Sequence, residues 1–373
     1  MPFWNTLIDR LRGEPAQPTY TPLPADPTFA QWGREVLDLT ERGLAMPWQH
    51  LYRNEIKLGE PPNNSPAFMW PSAVQLSALV AAAHVDPTYV RPMQQFADAL
   101  QSYWADHYGI GGYDVLPTPK PPDRYYDDNC WITIALAEAA AFTGSGRLGT
   151  RAQAGMRFIL SGEDDQLGGG IYWHEDKREA KHTCSCAPGA VAALRLFEVT
   201  GDQAYLGDVR RLVAWTSAHL QDDDGLFWDN IKLNGEIERT KWSYNSALMI
   251  QANTLLHKHT GDERYGREAQ RIAHAAIDYW IDPATGGVKN GARFAHMLVE
   301  ALLRLDGPGR EERRQIARRA LQFVHDQVRD PNGWYAEPWD RPQQGPLATV
   351  QLIDQASTAR AFWVAAAEFG ANP

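Results

Sequence analysis

The stretch Tyr125-Tyr126-Asp127-Asp128-Asn129-Cys130-Trp131 sets two adjacent carboxylates among aromatic side chains at the start of an apolar helical run. Two carboxylates held close together are what cleavage of a glycosidic bond requires: one attacks the sugar or activates water, and the other protonates the departing oxygen. Adjacent acids also divide their roles. One aimed at free backbone N–H groups is held ionised, while its neighbour, facing a like charge and partial desolvation, keeps its proton to higher pH. A structural role competes with this chemistry. Acids in a first helical turn cap free N–H groups and favour the positive end of the helix dipole, each contributing roughly 0.3–2 kcal/mol.

The surroundings weigh on the side of a sugar. The chain holds 14 Trp, 14 Tyr and 12 Phe, and aromatic faces stack on the apolar faces of sugar rings, although the same residues also dominate ordinary cores. The candidate substrate-binding residues are Tyr126, Trp173, Trp228, Asp229, Asn230, Tyr244 and Asn245. Asp354 and Gln355 open the last helical run and fit a cap equally well. Cys184-Ser185-Cys186, with His174 and His182 near in sequence, is tighter than the usual zinc spacing. No metal and no cofactor are expected.

The elements that must carry these residues are helices. Helical periodicity runs over 27–45, 72–83, 87–108, 127–143, 147–161, 187–200, 202–220, 243–260, 262–281, 291–305, 309–329 and 350–370, and no strand region competes with it. Odd-numbered segments carry one apolar stripe, as in Tyr265, Ile272, Ala276 and Trp280, whereas even-numbered ones are apolar nearly all round. A single stripe marks a surface helix and all-round apolarity a buried one. The pattern predicts an inner ring of six helices within an outer ring of six, an all-α (α/α)6 toroid.

Turns from an inner to the next outer helix are short, and Thr200-Gly201-Asp202 and Thr260-Gly261-Asp262 repeat a stop-and-start signature also visible at Thr143-Gly144-Ser145. Segments 46–71, 109–126, 162–186, 221–242, 282–290 and 330–349, which lead into inner helices, are long, as binding loops are. The site is therefore expected on the long-loop face, at the N-termini of the inner helices. One barrel domain is expected over 27–373, preceded by an N-terminal arm over 1–26, in which Phe3, Trp4, Leu7, Ile8 and Leu11 are spaced like one face of a short amphipathic helix.

A net charge of -10 disfavours nucleic acid and anionic membranes as partners. No apolar stretch is long enough for a transmembrane helix, and Met1 to Pro18 lacks the continuous apolar region of a secretory signal. As written the chain is expected to be cytoplasmic; an exported protein with its signal trimmed would read the same way.

The motif around Asp127 and Asp128 resembles the Asp-Asp motif of glycoside hydrolase family 76, the endo-α-1,6-mannanases and related transglycosidases. Trp70-Pro71-Ser72, Gly169-Gly170-Ile171-Tyr172-Trp173 and Trp242-Ser243-Tyr244-Asn245-Ser246 add to the resemblance, which spans roughly 30–370. It implies a six-hairpin toroid and a retaining glycosidase acting on α-1,6-mannan, with Asp127 as nucleophile and Asp128 as acid/base, and possible transfer to a sugar acceptor. The charged run His174-Glu175-Asp176-Lys177-Arg178 with Lys181-His182 has no counterpart in the family pattern and reads as a solvated loop.

Two other functions fit a toroid. A sugar epimerase of the N-acylglucosamine 2-epimerase type needs paired histidines, and here His174 and His182 share one loop while His257 and His259 lie at the rear of their helix. A non-catalytic carbohydrate-binding barrel would keep the aromatic residues without needing two acids.

Overall fold

The computed structural model describes residues 20–118 and 120–371. Among them are twelve α-helices: α1 (Pro27–Leu44), α2 (Met69–Val85), α3 (Val90–Ala99), α4 (Tyr126–Thr143), α5 (Gly146–Leu160), α6 (Thr183–Thr200), α7 (Ala204–Leu220), α8 (Ser243–Thr260), α9 (Glu263–Trp280), α10 (Ala292–Arg304), α11 (Arg310–Phe323) and α12 (Leu352–Ala371). The even-numbered helices pack side by side in a closed ring, α2 on α4, α4 on α6, α6 on α8, α8 on α10, α10 on α12 and α12 back on α2. Each outer helix covers the inner helix that precedes it, and α1 covers α12, so the first helix of the described chain is held by the last.

The repeated turns explain the alternation of direction. Gly144, Gly201 and Gly261 end α4, α6 and α8 with φ of 67°, 72° and 68°. A β-carbon there would meet nothing within 4 Å, so the left-handed backbone alone calls for glycine. The preceding threonine does double work. The Oγ1 of Thr200 and Thr260 donates to the carbonyl four residues back and accepts the N–H of Asp202 and Asp262. Asp262 then accepts the N–H of Arg264 and starts α9.

Short strands decorate the long-loop face, which corrects the expectation that no strand would form. The helix expected over 87–108 stops at Ala99, passes through a 3-10 turn and becomes a hairpin, β4 (Trp104–His107) against β5 (Ile110–Tyr113), turning at Tyr108 and Gly109 with φ of 53° and 76°. The remaining strands are β1 (Ala45–Met46), β2 (Leu51–Tyr52), β3 (Glu55–Lys57), β6 (Ala180–His182), β7 (Trp228–Lys232), β8 (Ile237–Lys241) and β9 (Thr349–Gln351). β6, β7 and β8 form one antiparallel sheet, and β3 pairs with β9 across the chain's two ends.

The charged segment expected to be solvated is so only in part: Asp176, Lys177 and Arg178 are exposed, whereas His174, Glu175 and Lys181 are buried. Glu175 accepts Arg124 Nε at 2.9 Å and Nη2 at 2.6 Å, and the Arg124 side chain is fully enclosed. Lys181, also enclosed, donates to Asp164 at 2.8 Å and lies 3.6 Å from the centroid of the Tyr172 ring. Opposite charges on separate segments satisfy one another there, as buried ions must. The apolar spacing read over 3–11 lies outside the described residues; the arm's last residues, 20–26, run along the short-turn face.

Deeper in the barrel the inner ring contains a second charged cluster. Arg360 of α12 donates to Glu138 of α4 at 3.0 Å and to Glu300 of α10 at 2.8 Å, and Arg195 of α6 stands 3.5 Å from Glu138. Burial opposes the ionisation of Glu138 and Glu300, but the facing arginines outweigh it, lowering Glu138 and holding Glu300 well below the ordinary carboxylate range.

Candidate active site

Asp127 and Asp128 occupy the first turn of α4 at the long-loop end, as expected. Tyr125, the residue at the cap, supplies no side-chain hydrogen bond. Asn129 fixes the turn: its Oδ1 accepts the Tyr113 N–H at 2.7 Å, and its Nδ2 donates to the carbonyls of Tyr113 and Tyr125 at 2.8 Å each. The Tyr126 N–H donates to the Trp173 carbonyl at 2.8 Å, which brings the tryptophan over the acids.

The two carboxyls differ in what they touch. Asp127 accepts the Asp128 N–H at 2.9 Å on one oxygen and the Trp173 indole N–H at 2.9 Å on the other. Asp128 accepts no hydrogen bond among the described residues, and neither acid has a cationic partner. Burial pushes Asp127 up to about 7 against the pull of those donors. Burial, then the charges of Asp127, Asp123 and Asp114, pushes Asp128 up further. Of the pair, Asp127 is the one equipped to carry the negative charge.

Around the acids stand the first turns of the other inner helices. Cys184 of α6 is buried close to Asp127, Asp229 and Tyr244, and burial and the two carboxylates raise its thiol well above the ordinary value. Tyr244 of α8 stacks on Phe294 of α10 at 4.7 Å, and Trp70 of α2 and Trp242 extend the same wall at 5.7 and 5.1 Å from Phe294. Trp131 of α4 faces Tyr244 at 6.4 Å. Trp173, 42% exposed, stands beside Tyr125 and His182. Asp229 and Asn230 are bonded to each other at 2.8 Å on β7, next to β6 and the start of α6, while Trp228 carries Arg239 over its ring. Asp354 of α12 is buried 3.3 Å from Arg293, and burial pushes it up to about 7 in spite of that arginine.

Two candidates do not reach the funnel. Tyr126 is fully buried on the outer side of α4, stacked on Phe158 with its hydroxyl accepting from Arg178; one helical step of about 100° separates it from Asp127. Asn245 is likewise fully buried, with neither amide atom partnered among the described residues. Gln355 is a clamp, bonding both the N–H and the carbonyl of Tyr335. Phe294, at the centre of the aromatic wall, was not among the residues singled out from sequence; its place in the first turn of an inner helix was the available signal.

The histidines do not converge on the acids. His174 bonds Asp123 at 2.9 Å, burial pushes His182 and His296 down to about 4, and His257 lines the opposite end of the barrel. Among the described residues no cluster of three His, Cys, Asp or Glu is arranged to hold a metal, and no helix is long and apolar enough to cross a membrane.

The profile of Glycosyl hydrolase family 76 matches residues 41–301. A GH76 α-mannanase of Bacteroides thetaiotaomicron superposes with a TM-score of 0.84 at 27% identity, over 91% of this chain and 96% of that one. The α-1,6-mannanase GH76A of Salegentibacter sp. HEL1_6, solved as an inactive variant with two consecutive aspartates changed to asparagine and bound to α-1,6-mannotriose, is 22% identical with a TM-score of 0.77 over 90% and 98% of the two chains. The meiotically up-regulated gene 191 protein of Schizosaccharomyces pombe is 28% identical over 211 residues, 50% of this chain and only 46% of that protein. The match over most of the barrel, together with the helical ring and the two acids at its long-loop end, establishes that the chain belongs to glycosyl hydrolase family 76 and is a glycoside hydrolase.

Proposed function

We propose that the protein cleaves α-1,6-mannosidic bonds with retention of anomeric configuration, Asp127 attacking the anomeric carbon and Asp128 protonating the leaving oxygen. The observation that carries the proposal is the contrast between the two carboxyls: Asp127 is held by two N–H donors, and Asp128 has none and is pushed further up. A nucleophile must be ionised and an acid must keep its proton, and the surroundings favour that division. Attack by Asp127 forms a glycosyl-enzyme ester as the bond to the leaving oxygen breaks and the Asp128 proton passes to it. Asp128, now ionised, takes a proton from water, which displaces Asp127; a sugar hydroxyl in place of water gives transfer.

The linkage rests on relatives. The mannanases that share this fold include one whose two consecutive aspartates were replaced to hold α-1,6-mannotriose, and this chain carries its own consecutive pair at a helix start. Tyr244, Trp131 and Trp173 then serve as stacking faces, and Asp229 and Asn230 as hydroxyl partners. The test is release of reducing ends from α-1,6-manno-oligosaccharides, undiminished by a chelator, with the anomer of the first product read by NMR. Inversion would reject the mechanism; interconversion of free hexoses without cleavage would reject the reaction.

A further inference from the structure

Asp354 lies in the first turn of α12, where a cap is expected, yet no backbone N–H donates to its carboxyl among the described residues. Its side chain is 7% exposed, and its one hydrogen bond, from Arg293 Nη2, is long at 3.3 Å. Glu300, at least as deeply buried, receives two donors from Arg360 at 2.8 and 3.0 Å. A buried carboxylate held by a single weak donor is costly to the fold, and such groups gather where a ligand completes their bonding. Arg293 is also under-used. Its Nη2 is shared between Asp354 and Gln351 Oε1, the latter at 3.1 Å, and its buried Nε has no hydrogen-bond partner among the described residues, with Glu337 standing 4.0 Å away.

Position ties this pair to the funnel. Arg293 and Asp354 open two neighbouring inner helices at the long-loop end, on the far side of the ring from α4. Phe294, next to Arg293, stacks on Tyr244 toward the acids and on Trp70 away from them. Trp70 packs against the cluster that contains Ile353, the residue before Asp354. The aromatic wall that begins near Asp127 therefore continues past Phe294 to a second place where a ring and a polar pair stand together. Phe68, 49% exposed and two residues ahead of Trp70, carries the apolar surface outward. Gln351 and Asp354 lie beyond the residues matched by the family profile, so the family match itself does not reach them.

A hydroxyl can donate to a carboxylate and accept from a guanidinium, and neighbouring hydroxyls on one sugar can do both at once. We propose that Arg293 and Asp354 form a second sugar subsite, bonding adjacent hydroxyls of a hexose unit beyond the scissile bond while its apolar face lies against Trp70. The proposal rests on the reading of Asp127 and Asp128 as a glycosidase pair, and it makes that site selective for oligosaccharides over single glycosides.

The test compares substrates of different length. Parent, Asp354→Asn and Arg293→Gln are assayed on an aryl α-mannoside and on α-1,6-manno-oligosaccharides from the disaccharide to the hexasaccharide. Both variants are expected to lose at least ~10-fold in kcat/KM on the longest substrate, mostly through KM, and less than ~2-fold on the aryl mannoside, which stops short of the pair. Asp354→Asn keeps the size of the side chain, so its thermal midpoint should not fall. Calorimetric titration of the α-1,6-linked tetrasaccharide into an Asp127→Asn plus Asp128→Asn protein should show the same loss of affinity when Asp354→Asn is added, without turnover. Equal losses on the aryl mannoside and the longest oligosaccharide would overturn the proposal, because the pair would then act on the surroundings of the acids and not on a separate sugar unit. Variants that match the parent at every length would overturn it too, while the parent's own cleavage would leave the reading of the acids standing. A parent that cleaves none of these substrates, with an inactive protein that binds none, would overturn the subsite together with that reading.

Discussion

Asp127 and Asp128 at the start of α4 and Glu138 about three turns further along it are carboxylates on one inner helix of one barrel. Glu138, with Glu300, faces Arg360 and Arg195 and is held ionised; the aspartates face each other, a thiol and aromatic rings, and are pushed upward. Burial opposes ionisation at both levels, so burial alone does not make a site. What separates them is that arginines face the glutamates, whereas none pairs with the two aspartates. The lower cluster ties four inner helices together with neutralised charge. The upper one leaves charge uncompensated where a substrate arrives.

Disabling each level should have a different signature. Asp127→Asn and Asp128→Asn should each lower turnover by at least ~10²-fold, since general acid/base assistance alone contributes roughly 10²–10⁴. An aryl glycoside whose leaving group departs unprotonated should restore glycosylation in Asp128→Asn but not in Asp127→Asn. Full turnover in both would reduce them to helix caps. At the lower level, Arg360→Met leaves Glu138 and Glu300 without their main cation, which for buried pairs costs about 3–5 kcal/mol. Its thermal midpoint should fall well below that of the parent, with kcat of the remaining folded protein little changed.

The pH dependence of stability should run in opposite directions. Carboxyls raised in the folded state contribute stability that is fully present below their ordinary value of 3.8 and is lost as pH climbs through their folded values, about 7 for Asp127. Asn at either position removes that loss, so the variants should unfold later than the parent near pH 8, by on the order of 1 kcal/mol, and lose the advantage toward pH 4. Glu300 is lowered in the folded state: its contribution is present above the ordinary value of 4.5 and fades as pH falls below it, so Glu300→Gln should flatten the acid limb of the stability curve. The smallest effect belongs to Trp173→Phe. The ring face remains but the N–H to Asp127 is gone, which should lower kcat several-fold and move the acidic limb of the pH–rate profile upward. An unmoved limb would mean that the indole only packs.

Much of this was legible in sequence because it depends on local chemistry. The Thr-Gly-Asp turns specify their own geometry, and stripe against all-round apolarity separates outer from inner helices. The aspartates were found because they open an inner helix. What escaped depends on distant partners. Arg124 and Glu175 are separated by 51 positions, and nothing local at His174 to His182 indicates that its charges meet opposite charges elsewhere. β4 falls at the end of the helix expected over 87–108 and β5 in the loop expected over 109–126, and only the pairing of Trp104–His107 with Ile110–Tyr113 makes them strands. Tyr126 was drawn in by adjacency to the acids, where a helical step turns it outward.

The ring closes only when α12 reaches α1 and α2 and β9 reaches β3. During synthesis this becomes a matter of time. The buried stripe of α1, with Phe29, Trp32, Val36 and Leu37, finds its partner only in the last described helix. At roughly 5–20 residues per second, that partner leaves the ribosome on the order of tens of seconds after α1. For that interval the nascent chain presents an uncovered aromatic stripe, and a chaperone or an aggregating neighbour competes for it with a helix that does not yet exist.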